Sequence, residues 1–211
     1  MIDEQLIRYM DQIQPPRSER YSRMEELAAR DHVPIINPHT GYFIQMLCMA
    51  IRPKRILEIG TAIGYSGMWM LDHSEATLDT LDIDGERLQT AMALFADMGV
   101  SKRVRIHHGD ANQILPSLVG EQRFDLVFLD AAKGQYMNFF QHVDKLTDSR
   151  AVVITDNVFF HGMVAGIEQP PKRLAPLVRK VDAYNRMLQE HPDWHTTFHS
   201  IGDGLAVSIK R

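Results

Sequence analysis

The feature that most constrains this chain is the alternation of short apolar runs with amphipathic segments from Arg55 onward. The apolar runs are rich in β-branched and aromatic residues, whereas the segments between them carry apolar residues at helical spacing. Strands that alternate with helices predict a parallel sheet with helices on both faces. The predicted strands are 55–59, 77–82, 103–107, 124–130 and 150–155, and the predicted helices are 64–73, 85–98, 111–118, 134–146 and 172–190.

Both ends of the chain depart from this alternation. Residues 1–50 have helical periodicity, and Asn37-Pro38 has the N-cap and first-position proline typical of a helix start. Near the C-terminus, two alternating segments meet at Asp203-Gly204, which is typical of a hairpin. We therefore predict one α/β domain over 1–211, with a helical cap followed by a core over 51–211. Its sheet has seven strands, mostly parallel, and ends in an antiparallel C-terminal hairpin.

Composition limits the class of protein. With 45% hydrophobic and 24% charged residues, the chain can bury an ordinary globular core. It has no run of about 18 apolar residues that could span a membrane, and its first residues lack the features of a secretory signal. The single cysteine, Cys48, fits a reducing cytosol, so we expect a cytoplasmic protein. A net charge of −4 gives no general attraction for nucleic acid.

The residues that follow the first three strands suit a nucleoside ligand, because ligands bind beyond the carboxyl ends of parallel strands. After the first strand, Gly60 and Gly64 allow a ligand to approach the backbone, and the next helix N-terminus favours an anion. Asp82 could accept hydrogen bonds from ribose hydroxyls, and Asp110 from an adenine amino group. Each has a structural alternative, a glycine turn or a helix cap. Asp84 fits better as the N-cap of the next helix.

Oxygen-bearing side chains follow the fourth and fifth strands. Asp130 ends one, and Asp156-Asn157 ends the other. Adjacent strand ends lie about 5 Å apart, and two carboxylates with an amide suit Mg²⁺ or Ca²⁺. Lys133 could act as a general base, because a lysine beside a metal ion loses its proton more readily. The alternatives are a helix cap at Asp156-Asn157 and a solvated lysine.

Four blocks of this chain, LEIGTAIGYS, LDAAKGQY, ITDN and GDGLA, resemble the metal-dependent O-methyltransferases, which include catechol and caffeoyl-coenzyme A methyltransferases. The resemblance implies a Rossmann-like class I methyltransferase fold with strand order 3-2-1-4-5-7-6, usually as a homodimer. It implies that Asp130, Asp156 and Asn157 hold Mg²⁺. The catalytic residues it implies are Lys133, as the base, and Asp130.

The same resemblance implies an S-adenosylmethionine site. To this cofactor-binding set we add Glu58, at the end of the first strand. The acid after the second strand is commonly Glu in the family, so the shorter Asp82 departs from the family's pattern at the implied ribose contact. The full predicted set is Ile36, Glu58, Gly60, Tyr65, Ser66, Asp82, Asp110, Ala111 and Asp130.

Longer blocks, including ITDNVFFHGMVA and HPDWHTTFHSIGDGLAVSIKR, resemble the bacterial tRNA 5-hydroxyuridine methyltransferases within this family. This implies methylation of the 5-hydroxyl of the wobble uridine in the tRNA anticodon loop, which gives 5-methoxyuridine. In 5-hydroxyuridine the hydroxyl and O4 oxygens are adjacent, as in a catechol, so a catechol-like or phenolic small molecule is the alternative substrate. A nicotinamide-dependent dehydrogenase is disfavoured by the GxxxG spacing and the closing hairpin.

A tRNA substrate would require a phosphate-binding surface. In the predicted helix 172–190, two basic pairs are each seven residues apart, which would place them on one exposed stripe, although such stripes are more often simply solvated. Tyr136 and Trp194 are candidates for stacking on bases, but both are more often core residues. The candidate tRNA-binding residues are Lys172, Arg173, Arg179 and Lys180. The apolar seam expected to face the core comprises Leu174, Leu177, Val178, Val181, Tyr184 and Leu188.

Overall fold

The computed structural model describes residues 4–120 and 122–211. It divides into two compact units between Pro34 and Ile35. The first unit contains α1 (Glu4–Ile13) and α2 (Glu19–Arg30). The second contains α3 (Pro38–Ile51), β1 (Arg55–Ile59), α4 (Tyr65–Leu71), β2 (Thr77–Asp82), α5 (Gly85–Asp97), β3 (Val104–His108), α6 (Ala111–Leu118), β4 (Phe124–Leu129), α7 (Tyr136–Lys145), β5 (Thr147–Thr155), α8 (Ala175–Glu190), β6 (Trp194–His199) and β7 (Leu205–Lys210).

The seven strands form one sheet in the order β3-β2-β1-β4-β5-β7-β6. Strands β1 to β5 are mutually parallel, whereas β7 is antiparallel to both β5 and β6. This confirms the predicted α/β fold, its strand order and its antiparallel C-terminal hairpin. The turn between β6 and β7 spans residues 200–204, and Asp203-Gly204 lies at its end.

The central strands are buried because helices cover both faces of the sheet. Residues 56–59 of β1 and 126–129 of β4 have almost no exposed surface. On one face, α6, α7 and α8 contribute Leu115, Phe140 and Tyr184 to a single apolar cluster with these strands. The buried strands therefore support the loops at the carboxyl edge of the sheet.

Helix α8 begins at Ala175, three residues later than predicted. Pro176 lacks the amide hydrogen that would bond to the Lys172 carbonyl, so a regular helix cannot run on from Lys172. Lys172 and Arg173 consequently lie in a turn, and the seven-residue helical spacing that we predicted for the basic stripe is wrong. The predicted apolar seam faces inward, with Leu174 and Leu177 half-buried and the following members buried: Val178, Val181, Tyr184 and Leu188.

The N-cap predicted at Asn37 is present, because its side-chain oxygen accepts a hydrogen bond of 2.8 Å from the Thr40 amide. Asp84 likewise caps α5 by accepting hydrogen bonds from the amides of Glu86 and Arg87. None of the helices in the described part of the chain is long and apolar enough to cross a membrane. The division into a cap over 1–50 and a core over 51–211 stays a prediction.

Candidate functional site

The strand ends at the carboxyl edge are joined by a line of backbone hydrogen bonds. The Gly109 amide donates to the Asp82 carbonyl (3.0 Å), and the Gly60 amide donates to the Leu81 carbonyl (2.9 Å). The amides of Asp130 and Asp156 continue the line to the carbonyls of Ile59 and Leu129, each at 3.0 Å. The polar residues predicted from separate strand ends therefore lie along one continuous edge.

The loop after β1 approaches β4 too closely for a side chain. At Gly60, φ is +106°, and an added Cβ would lie only 2.0 Å from the Asp130 carbonyl oxygen. Gly64, with φ of +84°, immediately precedes α4, where an added Cβ would touch the Phe95 ring at 2.9 Å. Both glycines are therefore required by backbone conformation and by close packing. The loop therefore lies directly against the backbone of Asp130.

Asp82 fixes the shape of this loop. Its carboxylate accepts hydrogen bonds from the Ala62 amide (2.8 Å) and from the Asp84 amide (3.0 Å). The residue is partly exposed, and each of its carboxylate oxygens accepts one of these two hydrogen bonds. Asp82 thus has a structural role in the free protein, and a ribose contact would be additional to it.

Glu58 and Ser66 lie below the loop, not on its surface. Glu58 has no exposed surface, and it accepts 2.5 Å hydrogen bonds from the hydroxyls of Ser66 and Thr80. Thr61 bonds to the Thr80 hydroxyl at 2.5 Å and extends this buried network. Burial raises the pKa of Glu58 to about 7, against the lowering effect of the two hydroxyls. The role that these contacts support for Glu58 and Ser66 is to tie β1, β2 and α4 together.

The remaining predicted cofactor residues are distributed along the same edge. Asp110 is exposed and caps α6 by accepting a 2.8 Å hydrogen bond from the Asn112 amide, and Ala111 begins that helix. Tyr65 is buried and packs edge-on against Trp69. Ile36 is buried next to Asn37, whose side chain adjoins Gly202 of the hairpin turn. Cofactor contacts by these residues stay predictions.

The structure brings together the three predicted metal-binding residues. Asp130 follows β4, and Asp156-Asn157 follows its parallel neighbour β5, with Leu129 paired to Thr155 in the register. Asp156 is 4% exposed, and its carboxylate accepts a 2.6 Å hydrogen bond from the Asn157 amide. Asn157 has φ of +57°, so it does not continue into a helix, and the alternative of a helix cap is excluded.

The electrostatics of this group arise from two carboxylates, Asp156 buried and Asp130 partly buried, and from one lysine. Burial raises the pKa of Asp130, and the Lys133 ammonium lowers it. Burial, and next the charge of Asp130, raise the pKa of Asp156 to about 7, while the Asn157 amide and Lys133 act in the opposite direction. Lys133 lies half-buried in a short 3-10 turn (Lys133–Gln135), and its charge acts on both acids. A cation at this position would relieve the mutual repulsion of the acids.

All four basic residues of the candidate tRNA surface are exposed. Lys180 is the one that reaches the carboxyl edge, since its Nζ lies 3.8 Å from the position that a Cβ on Gly134 would occupy. Tyr136 and Trp194 are buried, which excludes stacking on a base. The Tyr136 hydroxyl instead donates a 3.0 Å hydrogen bond to the Asp156 carbonyl.

Sequence reasoning missed Asp203 as a site residue, although its GDGLA block was recognised. Asp203 lies in the β6–β7 turn, and its charge helps to raise the pKa of both Asp156 and Tyr136. Its position beside β5 depends on the antiparallel order β5-β7-β6. The spacing of Gly202-Asp203-Gly204 indicates only a turn, so no local signal identified this residue.

Comparisons with known proteins agree with this geometry. The O-methyltransferase family matches residues 19–211. The chain is 32% identical over 183 residues to a catechol O-methyltransferase of Niastella koreensis, covering 82% of this chain and 81% of that protein. It is 30% identical to a catechol O-methyltransferase of Mycobacterium tuberculosis, covering 83% and 80% of the two chains.

Solved structures show the same fold over nearly the whole chain. A protein proposed to be a caffeoyl-CoA O-methyltransferase from Staphylococcus aureus has a TM-score of 0.86 at 34% identity, covering 99% of this chain and 98% of that one. The O-methyltransferase TomG of Streptomyces achromogenes, solved with S-adenosylmethionine, has a TM-score of 0.87 at 27% identity, covering 100% and 99%. Sequence, fold and strand-end chemistry agree, and this chain belongs to the O-methyltransferase family as an S-adenosylmethionine-dependent enzyme.

Proposed function

We propose that this enzyme methylates one of two adjacent oxygens on a catechol-like substrate, with a divalent cation, Mg²⁺, held by Asp130, Asp156 and Asn157. The observation that carries the proposal is that the Asp130 and Asp156 carboxylates and the Lys133 ammonium interact at the ends of β4 and β5, where Asn157 directly follows Asp156. The catechol O-methyltransferases among the relatives support the substrate class.

The donor chemistry of the site fits a hard cation. Two carboxylates and an amide offer oxygen ligands, and they leave coordination positions for substrate oxygens and water. Within residues 4–120 and 122–211, no group of three His, Cys, Asp or Glu could hold a metal ion. The proposed site therefore requires the amide oxygen of Asn157 as its third protein ligand.

The residues of the chain then have distinct roles. Bound Mg²⁺ would orient two substrate oxygens and stabilise the developing oxyanion, and S-adenosylmethionine would supply the methyl group. Lys133, in its neutral form, is placed to accept the hydroxyl proton at Nζ beside Asp130 and Asp156. The loop with Gly60 and Gly64 lies next to Asp130, so it can hold the methyl donor close to the substrate oxygen.

The first test replaces one proposed metal ligand. We expect Asp156→Ala to reduce the methylation of catechol by labelled S-adenosylmethionine at least ~100-fold, because the oxyanion loses its cation. EDTA should have the same effect on the wild type, and Mg²⁺ should restore activity. Asp148→Ala is the matched control, since it removes a carboxylate from β5 that is 71% exposed.

Cofactor affinity and melting temperature of Asp156→Ala should stay close to wild type. Near-normal turnover by this variant, or full activity in EDTA, would show that the metal assignment is wrong. Methylation of 5-hydroxyuridine in tRNA without any methylation of catechol would retain the metal site and move the substrate to RNA.

The second candidate substrate is 5-hydroxyuridine at the wobble position of tRNA. The observation that favours it is the exposed basic group formed by Lys172, Arg173, Arg179 and Lys180, which extends to the Lys133–Gly134 turn through Lys180. Phosphates bound along this group would lie beside the proposed metal site. Both candidates present two adjacent oxygens, so the same chemistry serves either.

Charge reversal tests this second candidate. We expect Arg173→Glu combined with Lys180→Glu to weaken tRNA binding by about tenfold or more at moderate salt, because phosphate contacts are lost and repulsion is added. S-adenosylmethionine affinity should not change. The control is Lys102→Glu with Lys145→Glu, which makes the same charge change at exposed residues before β3 and β5. Equal tRNA affinity in both double variants would remove this surface from the proposal.

The homodimer implied by the family resemblance belongs to the proposal as well. The first unit exposes Leu6, Tyr9 and Ile13, each at least half-exposed, along one helix. Sedimentation equilibrium distinguishes the 24.2 kDa chain from its dimer.

A further inference from the structure

The segment Asn157–His161, directly after the proposed metal ligands, has an unusual backbone. Asn157, Phe160 and His161 have φ values of +57°, +45° and +54°. Left-handed conformations are costly for residues other than glycine, and they persist only where surrounding contacts hold them. Something outside the segment must therefore fix its conformation.

The β6–β7 turn supplies most of these contacts. The Val158 amide donates to the Gly204 carbonyl (3.1 Å), and the Phe159 amide donates to the Asp203 carbonyl (3.0 Å). The His161 amide donates to the Asp203 carboxylate at 2.5 Å. The Asp203 side chain is only 19% exposed, so water competes weakly for this bond.

Helix α8 holds the segment from the other side. The Asn185 side-chain amide donates a 2.8 Å hydrogen bond to the Val158 carbonyl. Val158 is fully buried, and the Phe159 ring packs so closely on Gly204 that an added Cβ would lie 2.4 Å from it. The segment is thus clamped between α8 and the hairpin turn, with Asp203 bonding to it through both its backbone and its side chain.

We propose that Asp203 is a positioning residue, whose carboxylate fixes the backbone of the Asn157–His161 segment and thereby the direction of the Asn157 side-chain amide, the third ligand of the proposed metal site. Its consequence for catalysis rests on the proposed function, whereas its hold on the backbone does not. The carboxylate acts as a hydrogen-bond acceptor for the His161 amide, so a neutral acceptor of the same shape should replace it.

The test compares Asp203→Ala with Asp203→Asn. In the alanine variant the His161 amide loses its acceptor, and we expect amide exchange in the peptide spanning residues 158–161 to accelerate by about tenfold. The apparent affinity for Mg²⁺ and kcat should each fall by about tenfold as Asn157 loses its orientation. The KM for S-adenosylmethionine should remain within about twofold of the wild-type value.

Asp203→Asn keeps an oxygen acceptor in place and should restore exchange, metal affinity and kcat to near wild-type values. Asn185→Ala loosens the segment from the α8 side and should also accelerate exchange if Asp203→Ala proves too unstable to purify. The control is Asp193→Ala, which removes an exposed carboxylate at the other end of β6 and should change none of these quantities.

Unchanged exchange in residues 158–161 of Asp203→Ala would overturn the proposal, because the segment would then be held without the carboxylate. Equal impairment of the asparagine and alanine variants would also overturn it, because the negative charge of Asp203, and not its role as a hydrogen-bond acceptor, would then be what matters. If the wild-type enzyme methylates neither substrate but amide exchange still accelerates in Asp203→Ala, the proposed function is contradicted and the positioning role is retained.

Discussion

At the scale of single residues, two buried acids with raised pKa values have different roles. The Glu58 carboxylate receives hydroxyl donors on both oxygens. Asp156 accepts one backbone amide and faces a second carboxylate, Asp130. The sequence shows that both acids lie at strand ends, but it does not show which one belongs to a buried network and which one to the proposed metal site. The donors of Glu58 come from Thr80, on a different strand, and from Ser66, on the following helix.

Replacing Glu58 tests its structural role. The pKa of Glu58 is about 7 in the folded protein and near 4.5 without burial, so the folded protein holds this proton more tightly than the unfolded chain. The resulting stabilisation of the folded protein is complete below pH 4.5 and is lost as the pH rises through about 7. We expect Glu58→Gln to raise the melting temperature at pH 8 by roughly 3–6 °C, with a smaller difference at pH 5. Calorimetry at both pH values measures this.

An exposed acid provides the comparison for that measurement. Glu75→Gln should change the melting temperature little at either pH, because Glu75 is exposed before β2. If Glu58→Gln lowers the melting temperature equally at pH 5 and pH 8, burial of the charge is not what governs the stability of this network.

At the scale of elements, the close approach of the ends of β1 and β4 decides which residue can occupy the loop after β1. Gly60 is the point where the two strand ends touch, through the Asp130 carbonyl. The sequence predicted that Gly60 lets a ligand approach the backbone, with a glycine turn between strand and helix as the alternative. The structure adds that the neighbouring strand leaves no space for a side chain, which depends on β4 being paired to β1.

Gly60→Ala should separate these strand ends. We expect it to lower the free energy of unfolding by at least about 3 kcal/mol, since the added methyl group meets backbone that cannot move away. Binding of S-adenosylmethionine should weaken in parallel. Urea unfolding and calorimetric titration measure the two effects.

Gly120→Ala is the matched variant, because Gly120 has φ of +91° and nothing within 4 Å of the added Cβ. Its expected loss is about 1–2 kcal/mol, from backbone strain alone. Equal losses in the two variants would mean that close contact with β4 contributes nothing at Gly60.

At the scale of the whole molecule, the strand order decides which residues can act together. The order β3-β2-β1-β4 puts the loops after β1, β2 and β3 on one side of Asp130, and the hairpin on the other side brings Asp203 to Asp156. Residues 47 positions apart along the chain, from Asp156 to Asp203, thereby share one electrostatic environment. The site is therefore a property of the sheet as a whole.

The sequence by itself determined the fold class, the positions of the strands and the identity of the acids at their ends. These follow from local information, because burial pattern and turn chemistry depend on neighbouring residues. It also indicated the hairpin, through Asp203-Gly204.

Only the tertiary structure decided which polar residues face the site and which are buried beneath it. Glu58 and Ser66 belong to a buried network, whereas Asp203 belongs to the site, and neither assignment has a local signature. The start of α8 at Ala175 also separated Lys172 and Arg173 from the helix. The physical reason is that the pKa of a carboxyl group and its hydrogen-bond partners depend on residues from other strands, which only the assembled sheet brings within reach.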